Sequence, residues 1–162
     1  MITLIKKING TFKSKLKSHT PINIAIPRAL SEQIKRVPHL SLKALANNQG
    51  TSKDWYNITF RIHIGLSIAK EVYTDDAVVA MHQVYEQTTK IMDRFIEEGR
   101  WYTNENEYED LLSGLEATDQ MQDETTRRLQ LEVFKNSDLH VKKLIAQNQS
   151  RFDTRQRAEP II

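Results

Sequence analysis

Thr51-Ser-Lys-Asp-Trp-Tyr-Asn-Ile-Thr-Phe-Arg-Ile-His-Ile-Gly-Leu-Ser-Ile-Ala-Lys-Glu-Val-Tyr73 is the stretch that decides the fold class. Its middle alternates: Ile58, Phe60, Ile62 and Ile64 are separated by Thr59, Arg61 and His63, the pattern of a half-buried strand. The whole run argues otherwise. Trp55, Ile58, Ile62, Leu66, Ala69 and Tyr73 recur at helical spacing, and Thr51 followed by Asp54 is a helix start with an N-cap hydroxyl and an acid three residues on. About 20 residues without a turn signal exceed the roughly 3–10 residues of an ordinary strand. The spacing predicts a helix, apolar on more than one side and therefore central.

The elements around it also read as helices. Thr74 caps the next one, Asp75 and Asp76 suit its positive N-terminal dipole, and Ala77, Met81, Val84, Thr88, Ile91 and Phe95 form a heptad-like stripe. Glu97-Glu-Gly99 ends it, and the short link at Thr74 folds it back antiparallel on its predecessor. Trp101-Tyr102 is expected to plug one end. Thr103 is expected to cap a helix bearing Tyr108, Leu111, Leu112 and Leu115, with a break or kink at Gly114 or Ala117-Thr-Asp119. Met121, Thr125, Leu129 and Val133 continue on a second stretch to about Lys135. Asn136-Ser-Asp138 reads as the start of a last helix with Leu139, Val141, Leu144 and Ile145, and the polar run after Gln147 as a frayed tail.

Upstream, Ile22, Ile24 and Ile26 alternate between two prolines and predict an extended piece or at most an edge strand. Pro38 is expected to stop a short helix from Arg28 to Arg36, and Leu40, Leu42, Leu45 and Ala46 to form a second one. The expected organisation is a basic arm over residues 1–39, a helical bundle over 40–150 and a flexible tail over 151–162. The class is mainly α: an antiparallel bundle of three or four long helices carrying a basic, partly extended N-terminal arm.

Charge is segregated along the chain. Residues 1–53 hold ten Lys/Arg and one acid, residues 97–126 one basic residue and ten acids, although the whole chain nets only +2. Such segregation bears on association rather than on fold. Lys6, Lys7, Lys13, Lys15 and Lys17 read as a solvated tail, as a phosphate-contacting arm without sequence readout, or as a surface for an acidic protein. Glu105, Glu107, Glu109, Asp110, Glu116, Asp119, Asp123 and Glu124 read as a solvated face or as a surface for a basic partner, with Glu105, Glu109, Glu116, Asp119 and Asp123 the partner-binding candidates. That partner is either another protein, such as one with a nucleic-acid groove, or this chain's own arm. Hydrolytic or metal chemistry needs carboxylates converging from different segments, which one face of one helix does not supply.

Other chemistries are excluded by residue type or spacing. The absence of cysteine removes disulfides, thiolate catalysis and cysteine zinc sites, and fits a reducing, cytoplasmic setting. No glycine-rich phosphate loop, nucleophile-elbow serine or His-x-x-x-His spacing occurs. The nearest approach to a metal site is His82 with Glu86, joined by His63 from the neighbouring helix. Its alternative is a pair of surface histidines with an ordinary i,i+4 contact. No run reaches the roughly 18 apolar residues of a membrane span, and Met1–Asn9 has lysines where a signal peptide needs an apolar core. No catalytic residue, metal, cofactor or membrane partner is expected.

Asp54-Trp55, Glu98-Gly-Arg-Trp101, Asp119-Gln-Met-Gln122 and Thr125-Thr-Arg-Arg128 resemble a group of small uncharacterised proteins carried by proteobacterial phages, plasmids and genomic islands, over residues 40–135. The resemblance implies a mobile-element accessory protein. Small helical proteins of that setting often bind and block host machinery, CRISPR effectors included. The reading that follows is a non-enzymatic interaction protein that blocks a host protein or nucleoprotein complex through charged surfaces. The alternative is a nucleic-acid-binding accessory protein using the basic arm. The heptad-like helix also offers a seam for a homodimer, which an intramolecular bundle would use equally.

Overall fold

The computed structural model describes residues 28–158, with the side chains of 31–153. These form five helices, numbered in chain order: α1 (Arg28–Ala46), α2 (Ser52–Val72), α3 (Asp75–Glu98), α4 (Glu105–Asp123) and α5 (Arg127–Ala158). No strand occurs among the described residues. The extended piece at Ile22–Ile26 and the lysines of the expected arm lie outside them.

The alternating stretch is helical throughout, and α2 packs against all four of the other helices. Its burial explains the ambiguous pattern. A half-buried strand would turn Thr59 and Arg61 to water, whereas both are buried here along with Ile58, Ile62, Ile64, Ile68 and Ala69. The capping box forms as expected: the Asp54 carboxylate accepts from the Thr51 N–H at 2.9 Å, and the Thr51 hydroxyl oxygen accepts from the Asp54 N–H at 3.4 Å. After Tyr73-Thr74 the chain reverses, so that the Trp55 indole N–H reaches the Thr88 carbonyl at 2.8 Å while His63 meets Tyr85. The heptad-like stripe of α3, from Ala77 through Ile91, is buried within the chain. Gly99 ends α3 in the left-handed conformation, φ 75°, which glycine adopts without a Cβ penalty.

Several expected boundaries move. Pro38 does not stop a helix: α1 is one element that runs through it and across the expected 39/40 domain boundary. An interior proline loses one backbone hydrogen bond and costs about 3 kcal/mol. Here buried Pro38 is flanked by Lys35 and His39, both tied to α4, and by fully buried Leu42 and Leu45, so tertiary contacts on either side hold one axis. Three or four long helices become five. Gly114 and Ala117-Thr-Asp119 cause no break. A Cβ at Gly114 would collide with Val84 and sit 3.1 Å from Ile62 Cδ1, so this glycine marks where α4 presses on α2 and α3.

The break falls instead at Glu124–Thr126, where the side-chain amide of Gln130 donates to the carbonyls of Gln122 and Thr125, each at 2.9 Å. Asn136-Ser-Asp138 starts no helix. Ser137 is buried against His63, and Asp138 accepts from the Tyr56 hydroxyl at 2.9 Å, so α5 passes straight through them. The run after Gln147 is helical to Ala158, anchored by Phe152 against Phe95 and Trp101. The cap of α4 is Asn104 rather than Thr103, with Glu107 completing its capping box.

Gly65 is the counterpart of Gly114 on α2. A Cβ there would collide with the Thr118 hydroxyl and sit 2.8 Å from Met81 Cε. Alanine in a helix gains about 1 kcal/mol over glycine, but overpacking costs about 1–3 kcal/mol. Gly65→Ala should therefore lower the denaturant midpoint despite its better helix propensity. A raised midpoint would show that α2 and α4 do not meet here.

Candidate functional site

Helix α4 carries most of the acids, and its own geometry sorts them. Glu107 and Asp110 are buried, as are Leu111, Gly114, Leu115, Thr118 and Gln122 on the same side. Arg94 of α3 meets Glu107 with two parallel hydrogen bonds of 2.9 and 2.5 Å, and its guanidinium lies 4.6 Å above the Tyr102 ring. Asp110 accepts from the Gln87 amide at 3.2 Å, and burial pushes its carboxyl above the usual range. These two acids are part of the packing.

Asp119 is the centre of a second network. Arg61 is buried to 1% exposure in the middle of α2, and its Nε and Nη2 donate to Asp119 Oδ1 at 3.2 and 2.6 Å. Its Nη1 donates to the Gln122 side-chain carbonyl. His39 Nε2 lies 3.0 Å from the other Asp119 oxygen. One turn further along both helices, Lys35 Nζ donates to Asp123 at 2.5 Å. Asp119 and Asp123 thus receive side chains of α1, which belongs to the basic segment of residues 1–53.

Glu105, Glu109 and Glu116 are what remains. All three are exposed and have no partner among the described residues. At 100° per residue their positions, together with Asp123, fall within about 40° of one line along α4. The five acids singled out in the sequence therefore do not form one surface. Glu105, Glu109, Glu116 and Asp123 share the outward line, and Asp119 turns inward to 21% side-chain exposure. Lys6, Lys7, Lys13, Lys15 and Lys17 lie outside the described residues.

Sequence reasoning missed Arg61, Lys35 and His39. Arg61 had a usable signal: a cation inside a helix that is apolar on every side must find a carboxylate once buried. Lys35 and His39 had none, because Pro38 between them masked their shared helix.

His63, His82 and Glu86, the nearest approach to a metal site in the sequence, fall into two separate sets of contacts. His82 stays exposed, 3.4 Å from Glu86 in the i,i+4 contact. His63 is not a surface residue. Its ring stacks on His140 at 4.0 Å, its Nδ1 lies 2.8 Å from the Ser137 hydroxyl, and the Tyr85 hydroxyl lies 2.9 Å from His140 Nε2. No group of three metal-ligating side chains occurs among the described residues. No described helix is long and apolar enough to cross a membrane. No family model, curated protein or solved structure matches the chain.

Removing one partner of a buried ion pair costs about 3–5 kcal/mol, whereas exposed substitutions stay within about 0.5 kcal/mol. Asp119→Ala should therefore destabilise the protein by about 3 kcal/mol or more, and Glu116→Ala by less than about 0.5 kcal/mol, in chemical denaturation. Equal costs would erase the distinction between the two.

The histidine stack has its own signature. The His63 pKa is pushed down to about 4, by burial first and then by the charges of His140 and Lys70. Burial and the charges of Lys70 and Lys143 also lower His140. In the unfolded chain His63 titrates near 6.5, so from there down to about 4 the unfolded state binds the proton first and stability falls with pH. The thermal midpoint should be lower at about pH 5 than at about pH 7.5, and His63→Gln should shrink that difference. An unchanged difference would remove His63 from the pH response.

Proposed function

We propose that this chain is a non-enzymatic interaction protein, a helical bundle with a basic N-terminal arm, that docks the outward face of α4 on a basic surface of another protein. In the mobile-element setting suggested by the sequence resemblance, that partner is a host protein or nucleoprotein complex and docking blocks it. The observation that carries this reading is the line of Glu105, Glu109 and Glu116. Three exposed carboxylates stand on one rigid helix without partners among the described residues, while the neighbouring acids Glu107, Asp110, Asp119 and Asp123 are engaged internally. Charges fixed on a helix cost little ordering on binding, and complementary potentials steer encounter and register.

Magnitude selects between two kinds of basic surface. Glu105 to Glu116 spans about 16 Å at 1.5 Å per residue. Duplex DNA places one charge per roughly 1.7 Å of axis. The stripe is several times sparser than DNA, which favours a patch of individual Lys and Arg side chains over a groove built for a duplex. The carboxylates also lie side by side along one helix rather than facing one another across a cleft, which supports binding over hydrolysis.

The triple variant Glu105→Gln, Glu109→Gln, Glu116→Gln keeps side-chain size and removes the charge. In a pull-down from the natural host it should weaken capture of the partner by about tenfold or more with the melting temperature unchanged, and wild-type binding should weaken as salt rises. Retention of the partner by the triple variant overturns this reading. Loss only on changing Lys6, Lys7, Lys13, Lys15 and Lys17 to alanine would move the function to the arm.

A further inference from the structure

The start of α2, the end of α3, Trp101 in the link that follows it and the last turns of α5 line an open cavity of about 440 Å³, within the size range of small-molecule sites. Trp55, Tyr56, Phe95, Trp101 and Phe152 line it, with Ile145 and Gln149 from α5 and Ser52 and Lys53 from α2. The aromatic wall is built before any ligand arrives. Phe95 and Trp101 stack at 4.1 Å and 9°, Trp55 lies 5.6 Å from Trp101, and Phe152 lies 5.9 Å from Phe95. A flat ring entering this space would gain offset-stacked or edge contacts with rings already held by their neighbours.

The sign of the ligand follows from the one ionic side chain in the lining, Lys53. Lys53 forms no ion pair with any described residue, and no carboxylate lines the cavity. Three carboxylates next to the lining in sequence already have partners: Asp54 accepts from the Thr51 N–H and hydroxyl at 2.9 and 2.7 Å, Asp93 lies 3.5 Å from Arg151, and Asp153 accepts from the Gln149 amide at 2.9 Å. The first turn of α2 adds a partial positive charge of the same sign. Aromatic walls alone would also suit an ammonium ion through cation–π attraction, but the Lys53 ammonium opposes a second cation. We propose that this cavity is a binding site for a planar aromatic carboxylate, with the ring against Trp101 and Phe152 and the carboxylate at Lys53. This site is separate from the acidic face of α4 and does not depend on the reading given for it.

The chain has two tryptophans, Trp55 and Trp101, and both line the cavity, so their indole N–H resonances report on it directly. Titration of the ¹⁵N-labelled protein with 2-naphthoate should shift both resonances along one saturable curve. The same ring carrying a cation, 2-naphthylmethylammonium, and the neutral 2-naphthylmethanol should each bind at least about threefold more weakly, as expected where an exposed lysine selects the charge. Lys53→Glu should weaken 2-naphthoate by a similar factor. Lys53 is exposed, and an acid suits the first turn of a helix, so this variant keeps its fold and its melting temperature verifies that. Ile145→Trp, which fills the cavity, should abolish binding. Absence of saturable shifts, equal affinity for the cation or the neutral ring, or indifference to Lys53→Glu would each overturn the proposal.

Discussion

A guanidinium in the middle of the central helix is the constraint on which the rest of the structure depends. Arg61 is buried to 1% exposure, and an unpaired charge there would be prohibitively costly. Two of its nitrogens therefore hold Asp119 and a third holds Gln122, which fixes the rotation of α4 about its own axis. That rotation places Gly114 against Val84 and Thr118 against Gly65, so the close approach of the helices and the ion pair require each other. His39 and Lys35 then lay α1 along the same face of α4. A hydrophobic core of this size would tolerate several helix rotations; one buried cation selects among them.

The same constraint divides the acids of α4 by role. Asp119 is consumed by Arg61, Asp123 by Lys35, Glu107 by Arg94, and Asp110 by Gln87. What faces outward is a shorter and sparser line than the composition suggests, and its charges stand on a helix that cannot rotate without breaking the buried pair. In this arrangement the backbone that carries these carboxylates is already ordered, and only their side-chain rotamers remain free.

The cluster around Trp55 and Trp101 is organised mainly by rings, with the Arg94–Glu107 pair beside it. Trp55 is anchored through its indole N–H to the Thr88 carbonyl, Trp101 stacks on Phe95, and Phe152 brings the end of α5 onto the cluster. The His63–His140 stack and the bond from Tyr56 to Asp138 join α5 to α2 through polar side chains. Helix α5 is thus held by buried Leu129, Val133 and Val141 and by Phe134, Leu144, Ile145 and Phe152, a stripe that polar Ser137 and Asp138 interrupt at its middle. This explains why its sequence did not read as one helix.

Local information in the chain determined a good deal by itself. The capping box at Thr51 and Asp54, the stripe from Ala77 to Ile91 and the stop at Gly99 depend on neighbours within a few turns, and they appear where the spacing places them. The choice of helix over strand for Ile58–Ile64 also followed from length and capping alone. The elements that only the tertiary structure decided are those where a long-range partner overrides a local preference. Pro38 sits inside α1 because α4 grips the helix on both sides of it. Gly114 bends nothing because its missing side chain is filled by Val84. Asn136-Ser-Asp138 stays helical because His63 and Tyr56 take up the polar groups that would otherwise have capped a new start. Asp119 leaves the acidic face because Arg61, 58 residues away, has no water to hold it. A sequence displays the preference of each residue for its neighbours; which buried charge meets which carboxylate is settled only when the helices pack.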